Sequence, residues 1–316
     1  ETHAKDGLIR NARYVWGMTG TFKPKDPSDM FPAMNAIIPG SLLLSNGRTM
    51  GYWQFMKKFC EMDETKHGMV VKGGKNLDEL ADRLAPYMLR RTKKEVRKDW
   101  KEPECSELWL DQGDISDKVR RLESEPESLE IADALNKGGF DALAEFASKD
   151  SPGVSRYRRY CGILKIIPVV EWLLDQFTGG LEKIVIIAVH RDVIEGIHQR
   201  LKEQNIESVI YYGGMSEKEK DKAKAIFIKE NGCRAFIGQI VSSGTGLDGL
   251  QHATGDMLFV EWSWIADDNY QALSRLDRIG QENPVIGRFA GLEGSLDGAI
   301  MAAAARRAKE SKTLFG

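Results

Sequence analysis

Downstream of Gly179-Gly180 the apolar positions of the chain alternate between two periods. Lys183-Ile184-Val185-Ile186-Ile187-Ala188-Val189 is an unbroken, largely β-branched run, which predicts a strand buried on both faces of a parallel sheet. His190 to Gln204 then carries Ile194, Ile197 and Leu201 at spacings of three and four, the pattern of an amphipathic helix. A short strand follows at Ser208-Val209-Ile210-Tyr211-Tyr212. Beyond Gly213-Gly214, Ser216 stands three residues before Glu219, a capping-box start for a helix ending near Lys229. The pattern continues with strands at Arg234 to Val241 and Met257 to Val260. A helix over Asp267 to Ile279, a strand at Val285 to Ala290 and a closing helix from Leu296 to Ala308 complete it.

Upstream the signal is looser. The apolar run Tyr14-Val15-Trp16-Gly17-Met18 precedes turn chemistry at Pro24, Pro27 and Ser28, and helical spacing returns at Leu77, Leu80, Leu84 and Met88; together these form a first βα-rich stretch. From about Asp111 to Tyr160 the chain turns charged, with Glu and Lys spaced for exposed helix faces. Strand–helix alternation implies crossover connections, a parallel sheet and helices on both of its faces, hence an α/β fold. Ligands of such sheets bind beyond the carboxyl ends of strands. The loops after Val189, Tyr212, Val241 and Trp262 are therefore where chemistry is expected.

Composition narrows this little. The 316 residues are 42% hydrophobic and 29% charged, and that length points to two domains. A net charge of −2 neither supports nor excludes nucleic acid, because basic residues can gather on one face. Cys60, Cys105, Cys161 and Cys233 lie far apart without a C-x-x-C spacing, so neither a zinc site nor a disulfide framework is expected, and a reducing compartment fits. No apolar run approaches the ~18 residues of a membrane span, and no secretory signal is visible.

The most specific string is Gln271-Ala272-Leu273-Ser274-Arg275-Leu276-Asp277-Arg278-Ile279-Gly280-Gln281. On a continuous helix Gln271, Arg275 and Arg278 share a face, at i, i+4 and i+7. Two guanidiniums side by side repel unless they share an anion, and their planar forks suit phosphate oxygens. Two arginines alone would equally fit a surface helix paired to Asp267, Asp268 or Asp277. The full string favours function.

That string resembles motif VI of superfamily-two helicases in its Swi/Snf form, and the resemblance extends along most of the chain in the expected order. Met18-Thr19-Gly20-Thr21 is similar to motif III. Leu84 to Val96, containing Arg90-Arg91-Thr92-Lys93-Lys94, is similar to the crossing between two RecA-like lobes. Lys183 to His190 resembles motif IV, Tyr212 to Ser216 the loop after it, Ser242 to Asp248 motif V, and Glu261-Trp262-Ser263-Trp264 the strand end before motif VI. The resemblance implies two RecA-like lobes with parallel sheets flanked by helices. Residues 1–96 would be the remainder of an incomplete first lobe, and 97–316 the second lobe with a helical insertion around 111–160.

It further implies an ATP-dependent double-stranded-DNA translocase using ATP and Mg²⁺, with double-stranded or branched DNA as partner and no membrane. Arg278 would be the arginine finger, Arg275 its neighbour on the phosphates, and Gln271 their orienting residue. Glu1 would orient the attacking water if Glu1-Thr2-His3 closes an Asp-Glu-x-His motif II, with His3 near the nucleotide; coincidence at a chain end explains three residues equally. Gly244, Gly246 and Asp248 would lie near the nucleotide. Thr19, Thr21, Arg90, Arg91, Lys93, Gly213, Ser242 and Trp264 would meet DNA. The expected location is the cytoplasm of a bacterium or a phage-infected host, or the nucleus in a eukaryote.

Several features depart from the family pattern or compete with it. Phe22 stands where the family has proline after Thr-Gly-Thr, and Trp264-Ile265-Ala266 replaces Trp-Asn-Pro. No G-x-x-x-x-G-K-[ST] phosphate loop occurs in the sequence, so a complete motor is expected to carry one upstream. Without it the alternative is a non-hydrolysing DNA-binding or regulatory remnant; a restriction-system motor subunit or an RNA helicase is another. Gly244 to Gly249 matches G-x-G-x-x-G, but the next strand begins too soon for the helix a dinucleotide fold needs. Arg156, Arg158 and Arg159, interleaved with Tyr157 and Tyr160, fit base stacking less well than packing on a neighbouring helix. His190 is open to either ligand contact or helix capping.

Overall fold

The structure, a computed structural model, describes residues 12–18, 27–65, 68–89, 91, 93–96, 100–148, 152–239, 248–264 and 266–315. Its contacts divide the chain into two compact units, Glu1–Lys98 and Asp99–Gly316.

The first unit contains helices α1 (Met30–Ile37) and α2 (Tyr52–Phe59), strands β1 (Cys60–Thr65) and β2 (Gly68–Gly74), and helices α3 (Leu77–Leu84) and α4 (Lys93–Val96). Met34, Leu42, Met50, Phe55, Phe59, Leu80 and Leu84 form its core. The helix expected from Leu77, Leu80 and Leu84 is α3, with Met88 packed at the core edge beyond its end. β1 and β2 pair antiparallel, with an irregularity between Glu61 and Met62. Among the described residues this hairpin is the only multi-residue pairing in the unit, so the parallel sheet lies elsewhere. The run at Tyr14–Met18 has no regular structure, and Tyr14, Trp16 and Met18 are exposed. An apolar run becomes a strand only when a ladder satisfies its backbone groups, and no described strand pairs with this one.

The second unit is α/β, with a six-stranded, all-parallel sheet in the order β3-β8-β7-β4-β6-β5. The strands are β3 (Glu104–Leu110), β4 (Ile184–Ala188), β5 (Glu207–Tyr211), β6 (Cys233–Gln239), β7 (Asp256–Phe259) and β8 (Ile286–Leu292). Helices α5 (Ser116–Glu123), α6 (Pro126–Ser148) and α7 (Pro152–Thr178) precede β4. Then come α8 (Arg191–Glu203), α9 (Glu217–Lys229), α10 (Ala266–Leu273) and α11 (Leu296–Phe315). All five residues of β4 are buried, as an unbroken β-branched run requires. Each such Val or Ile contributes about 1.5–3 kcal/mol by leaving water. From β4 the chain goes first to β5 and β6 on one side, then to β7 and β8 on the other. The β4/β7 boundary is therefore the switch point at which parallel sheets hold ligands.

The charged middle is helical as its spacing predicts, and α7 runs on past Tyr160 to Thr178. β3 was not expected: Glu-Cys-Ser-Glu-Leu-Trp-Leu has no β-branched residue, and as an edge strand only its Leu110 is fully buried. The helix expected over Asp267–Ile279 is shorter, because α10 stops at Leu273. The Ser274 Oγ donates to the Gln271 carbonyl at 2.7 Å, and Arg275 N and Leu276 N turn back to the carbonyls three residues earlier, Ala272 and Leu273. Local side-chain bonding thus replaces the i→i+4 ladder.

Candidate functional site

The arginine string follows α10, in the loop that leads into the start of β8. Arg275 and Arg278 are not on a helix, which corrects the shared-face expectation: they lie in the turns that follow it, while Gln271 remains in its last turn. The turn is nevertheless tightly specified. Gly280 has φ +90°, and a Cβ there would stand 2.4 Å from His252 Cε1, so glycine is required. Gln281 Nε2 donates to the carbonyls of Thr254 (2.9 Å) and Leu276 (3.2 Å), and Thr254 Oγ1 in turn donates to the Lys183 carbonyl at 2.7 Å. The Arg-Ile-Gly-Gln ending is thus a clasp that ties the arginine turn to the base of the sheet.

Within this turn Arg278 Nη1 meets Asp248 Oδ1 at 2.5 Å, and the Arg278 guanidinium holds the Asp248 carboxyl below the usual carboxylate range. Gln251, itself buried, accepts from Gly249 N at 2.9 Å and fixes the Asp248 end of the loop. Arg275 is half-buried, and its Nε is buried without a hydrogen-bond partner among the described residues. Its proton affinity is lowered first by burial, then by the Arg278 charge, with Asp248 opposing. A buried, unpaired guanidinium N–H beside a second guanidinium costs free energy until an anion arrives.

A second node lies at the switch point. Glu261 is buried, and its Oε2 accepts from Val189 N and His190 N, both at 2.9 Å. Its Oε1 lies 2.6 Å from His190 Nδ1. His190 opens α8 without a side-chain cap; the distant Glu261 carboxylate instead fixes the two backbone N–H groups at the turn into the helix. Ser263 N donates to Asn269 Oδ1 at 2.8 Å, Asn269 Nδ2 returns to the Ser263 carbonyl at 2.7 Å, and Ser263 Oγ donates to Asp268. The strand end and the start of α10 are locked together by these bonds.

The other expected site residues scatter. Trp264, expected at DNA, is buried with the Arg158 guanidinium 5.1 Å over its ring, so its face is covered and serves packing rather than base stacking. Gly213 is exposed on the loop after β5, with its N–H donating to Gln239 Oε1 at 3.2 Å; Gln239 Nε2 reaches the Val189 carbonyl at 3.0 Å, tying two loops together. Arg91 is exposed and Lys93 opens α4, both in the first unit. Glu1, His3, Thr19, Thr21, Arg90, Ser242, Gly244 and Gly246 lie outside the described residues. The basic cluster on α7 resolves as packing. Arg156 pairs with Glu125 and Glu127, Arg159 with Asp192, and Tyr157 is buried.

Sequence reasoning missed Gln239 and Gln251 as site builders, and placed Glu261 only as the acidic strand end before the arginine string. An acidic residue at a strand end is the one available signal for Glu261. Gln239 carries none, because its partners are backbone groups 26 and 50 residues away; Gln251 serves its immediate neighbours, which no hydrophobic or motif pattern reports. No group of three or more His, Cys, Asp or Glu side chains among the described residues is arranged to hold a metal ion, and no described helix is long and apolar enough to cross a membrane.

No protein-family model matches the chain. Among curated proteins, it is 24% identical over 284 residues to the SWI/SNF-related matrix-associated actin-dependent regulator of chromatin subfamily A-like protein 1 of Drosophila melanogaster, covering 89% of this chain and 35% of that protein. It is 23% identical over 295 residues to the DNA annealing helicase and endonuclease ZRANB3 of Homo sapiens, covering 92% and 26%. Among solved structures, the Sulfolobus solfataricus SWI2/SNF2 ATPase core in complex with dsDNA aligns with a TM-score of 0.45 at 17% identity, covering 90% of this chain and 62% of that one. The chain thus spans about a third or less of the curated relatives it matches. Over about nine-tenths of its own length it is a relative of the Swi/Snf-type helicase-like proteins.

Proposed function

We propose that this chain supplies the second-lobe half of an ATP-dependent motor acting on double-stranded DNA. The observation that carries the reading is the arginine turn: Arg275 Nε is buried beside Arg278, without a partner among the described residues. That arrangement fits the phosphates of ATP. Bound ATP with Mg²⁺ would supply the phosphoryl group whose transfer to water powers movement.

This chain's own contribution is electrostatic. Arg275 offers a desolvated N–H to a phosphate oxygen. Arg278, held by the largely exposed Asp248, is the finger. An exposed ion pair is worth about 0–1 kcal/mol, so a phosphate displaces Asp248 easily. Such an arginine is worth about 10³–10⁵ in rate. The cradle for the β- and γ-phosphates is assigned to residues outside this sequence, which contains no phosphate loop. DNA as the track is supported by the similarity to a DNA annealing helicase. Arg91, Lys93 and Gly213 are the described residues proposed to meet the duplex backbone.

The test is ATP hydrolysis by the longest natural polypeptide containing this chain, without DNA, with single strands and with duplex. Stimulation chiefly by duplex, and a fall of about 10³-fold or more in Arg278→Ala, is expected. DNA binding without any hydrolysis would leave a binding module and overturn the motor.

A further inference from the structure

One face of α7 is built around the segment that feeds the arginine turn. Arg158, Gly162 and Lys165 stand at i, i+4 and i+7 and therefore on one side of the helix. Arg158 Nη2 donates to the Trp262 carbonyl at 2.9 Å, and its guanidinium lies 5.1 Å over Trp264. At Gly162 an added Cβ would stand 2.6 Å from Glu261 Oε1, so the helix backbone presses directly on that carboxylate. Lys165 Nζ sits 4.3 Å over the Trp262 ring. Three consecutive contacts thus seat Glu261, Trp262 and Trp264 against α7, and Ser263 is bonded across to Asp268 and Asn269 of α10.

We infer that Arg158 is a positioning residue for the arginine turn, acting through the Glu261–Trp264 segment and α10 and touching no substrate itself. The other two members of the face are buried structural fixtures. Arg158 alone bonds a backbone carbonyl of the segment while stacking on one of its rings. Burial lowers its proton affinity, with the Glu261 and Asp268 charges acting against that. Asp192, Glu125 and Glu127 are engaged by its neighbours Arg159 and Arg156, which leaves Arg158 to the segment. A lysine offers neither the planar fork nor the same stacking, so Arg158→Lys is expected to restore the function only in part. The inference rests on the functional reading above only for its kinetic consequence; the positioning is a property of the fold.

The experiment uses the longest natural polypeptide and the variants Arg158→Gln, Arg158→Lys, Arg278→Ala and Arg158→Gln with Arg278→Ala. Two quantities are read: backbone hydrogen exchange, and steady-state ATP hydrolysis with saturating duplex. In Arg158→Gln, residues 259–264 should lose protection while β4 and β6 keep theirs, which also shows that the variant is folded. The kcat should fall about 10- to 100-fold, as misplacing a catalytic group does, with KM for ATP within about twofold. Arg158→Lys should lie between. In the Arg278→Ala background the Arg158→Gln change should cost nothing further, because the two act through one group. Unchanged protection over 259–264, or a kcat loss that simply multiplies with that of Arg278→Ala, overturns the inference. If Arg278→Ala hydrolyses ATP normally, the functional reading fails instead, and the exchange result alone decides whether Arg158 positions the segment.

Discussion

Lys165 is the costliest side chain placed in the second unit: 1% exposed, with its ammonium 3.2 Å from both Asp297 Oδ1 and the Ala290 carbonyl and over the Trp262 ring. Carboxylate, carbonyl and π face together replace water around the charge, and Asp297 is held in turn by Leu292 N at 3.1 Å. Removing one partner leaves the other buried and uncompensated. Lys165→Met is therefore expected to cost about 3–5 kcal/mol in urea denaturation, and adding Asp297→Asn should recover part of it. A single Lys165→Met variant as stable as the parent would show that the pair is not energetically matched. Gly162 gives a sign test. Alanine in place of glycine inside a helix ordinarily stabilises by up to about 1 kcal/mol. Here the new Cβ would stand 2.6 Å from Glu261 Oε1 and 2.8 Å from Val193 Cγ2, so Gly162→Ala should destabilise by about 1–3 kcal/mol. Neither residue stood out in the sequence. A lysine at helical spacing resembles any solvated lysine, and its partner lies on a helix that starts at Leu296.

Among the elements, legibility followed how local the deciding interaction is. β4 could be read because five buried apolar residues in a row declare themselves. The capping box of α9 could be read because its partners are three residues apart: Ser216 N donates to Glu219 Oε2 at 2.8 Å, and Glu219 N returns to Ser216 Oγ at 3.4 Å. The end of α10 could not, since Ser274 Oγ takes the Gln271 carbonyl, the next N–H groups turn back three residues, and nothing in the hydrophobic spacing reports that. The Arg-Ile-Gly-Gln string pointed to the right place for an incomplete reason: its glycine and glutamine shape a turn, and its arginines sit in that turn rather than along a helix face. Ser216→Ala should lower the thermal midpoint by about 2–4 °C. The Ser216 hydrogen bonds hold the Glu219 carboxyl below its ordinary range. Its folded pKa is depressed, so its contribution is present above the unfolded value and is lost as pH falls through the folded one. The difference between parent and Ser216→Ala should accordingly narrow on acidification, and a difference that widened would contradict the assignment.

For the whole molecule, the two hydrophobic clusters share no residue: one runs from Met30 to Leu84, the other from Leu110 to Ala304. The second unit contains every strand of the parallel sheet, the clasp at Gln281, the Glu261 node and the Lys165 pair. A unit that buries its own core and pairs Lys165 with Asp297 inside it has what independent folding requires. Its length is within the ordinary range for one domain. A polypeptide of residues 99–316 is therefore expected to fold alone and to unfold in a single cooperative transition, with fluorescence and circular dichroism midpoints coinciding. On the proposed function it should bind inorganic phosphate or pyrophosphate weakly, in a manner lost in Arg275→Ala, because Arg275 and Arg278 both lie within it. On the same reading it should hydrolyse no ATP, since it would supply the arginines without the phosphate cradle. Noncoincident transitions would mean that the sheet depends on the first unit for its stability. Phosphate binding that survives Arg275→Ala would move the anion site away from the turn.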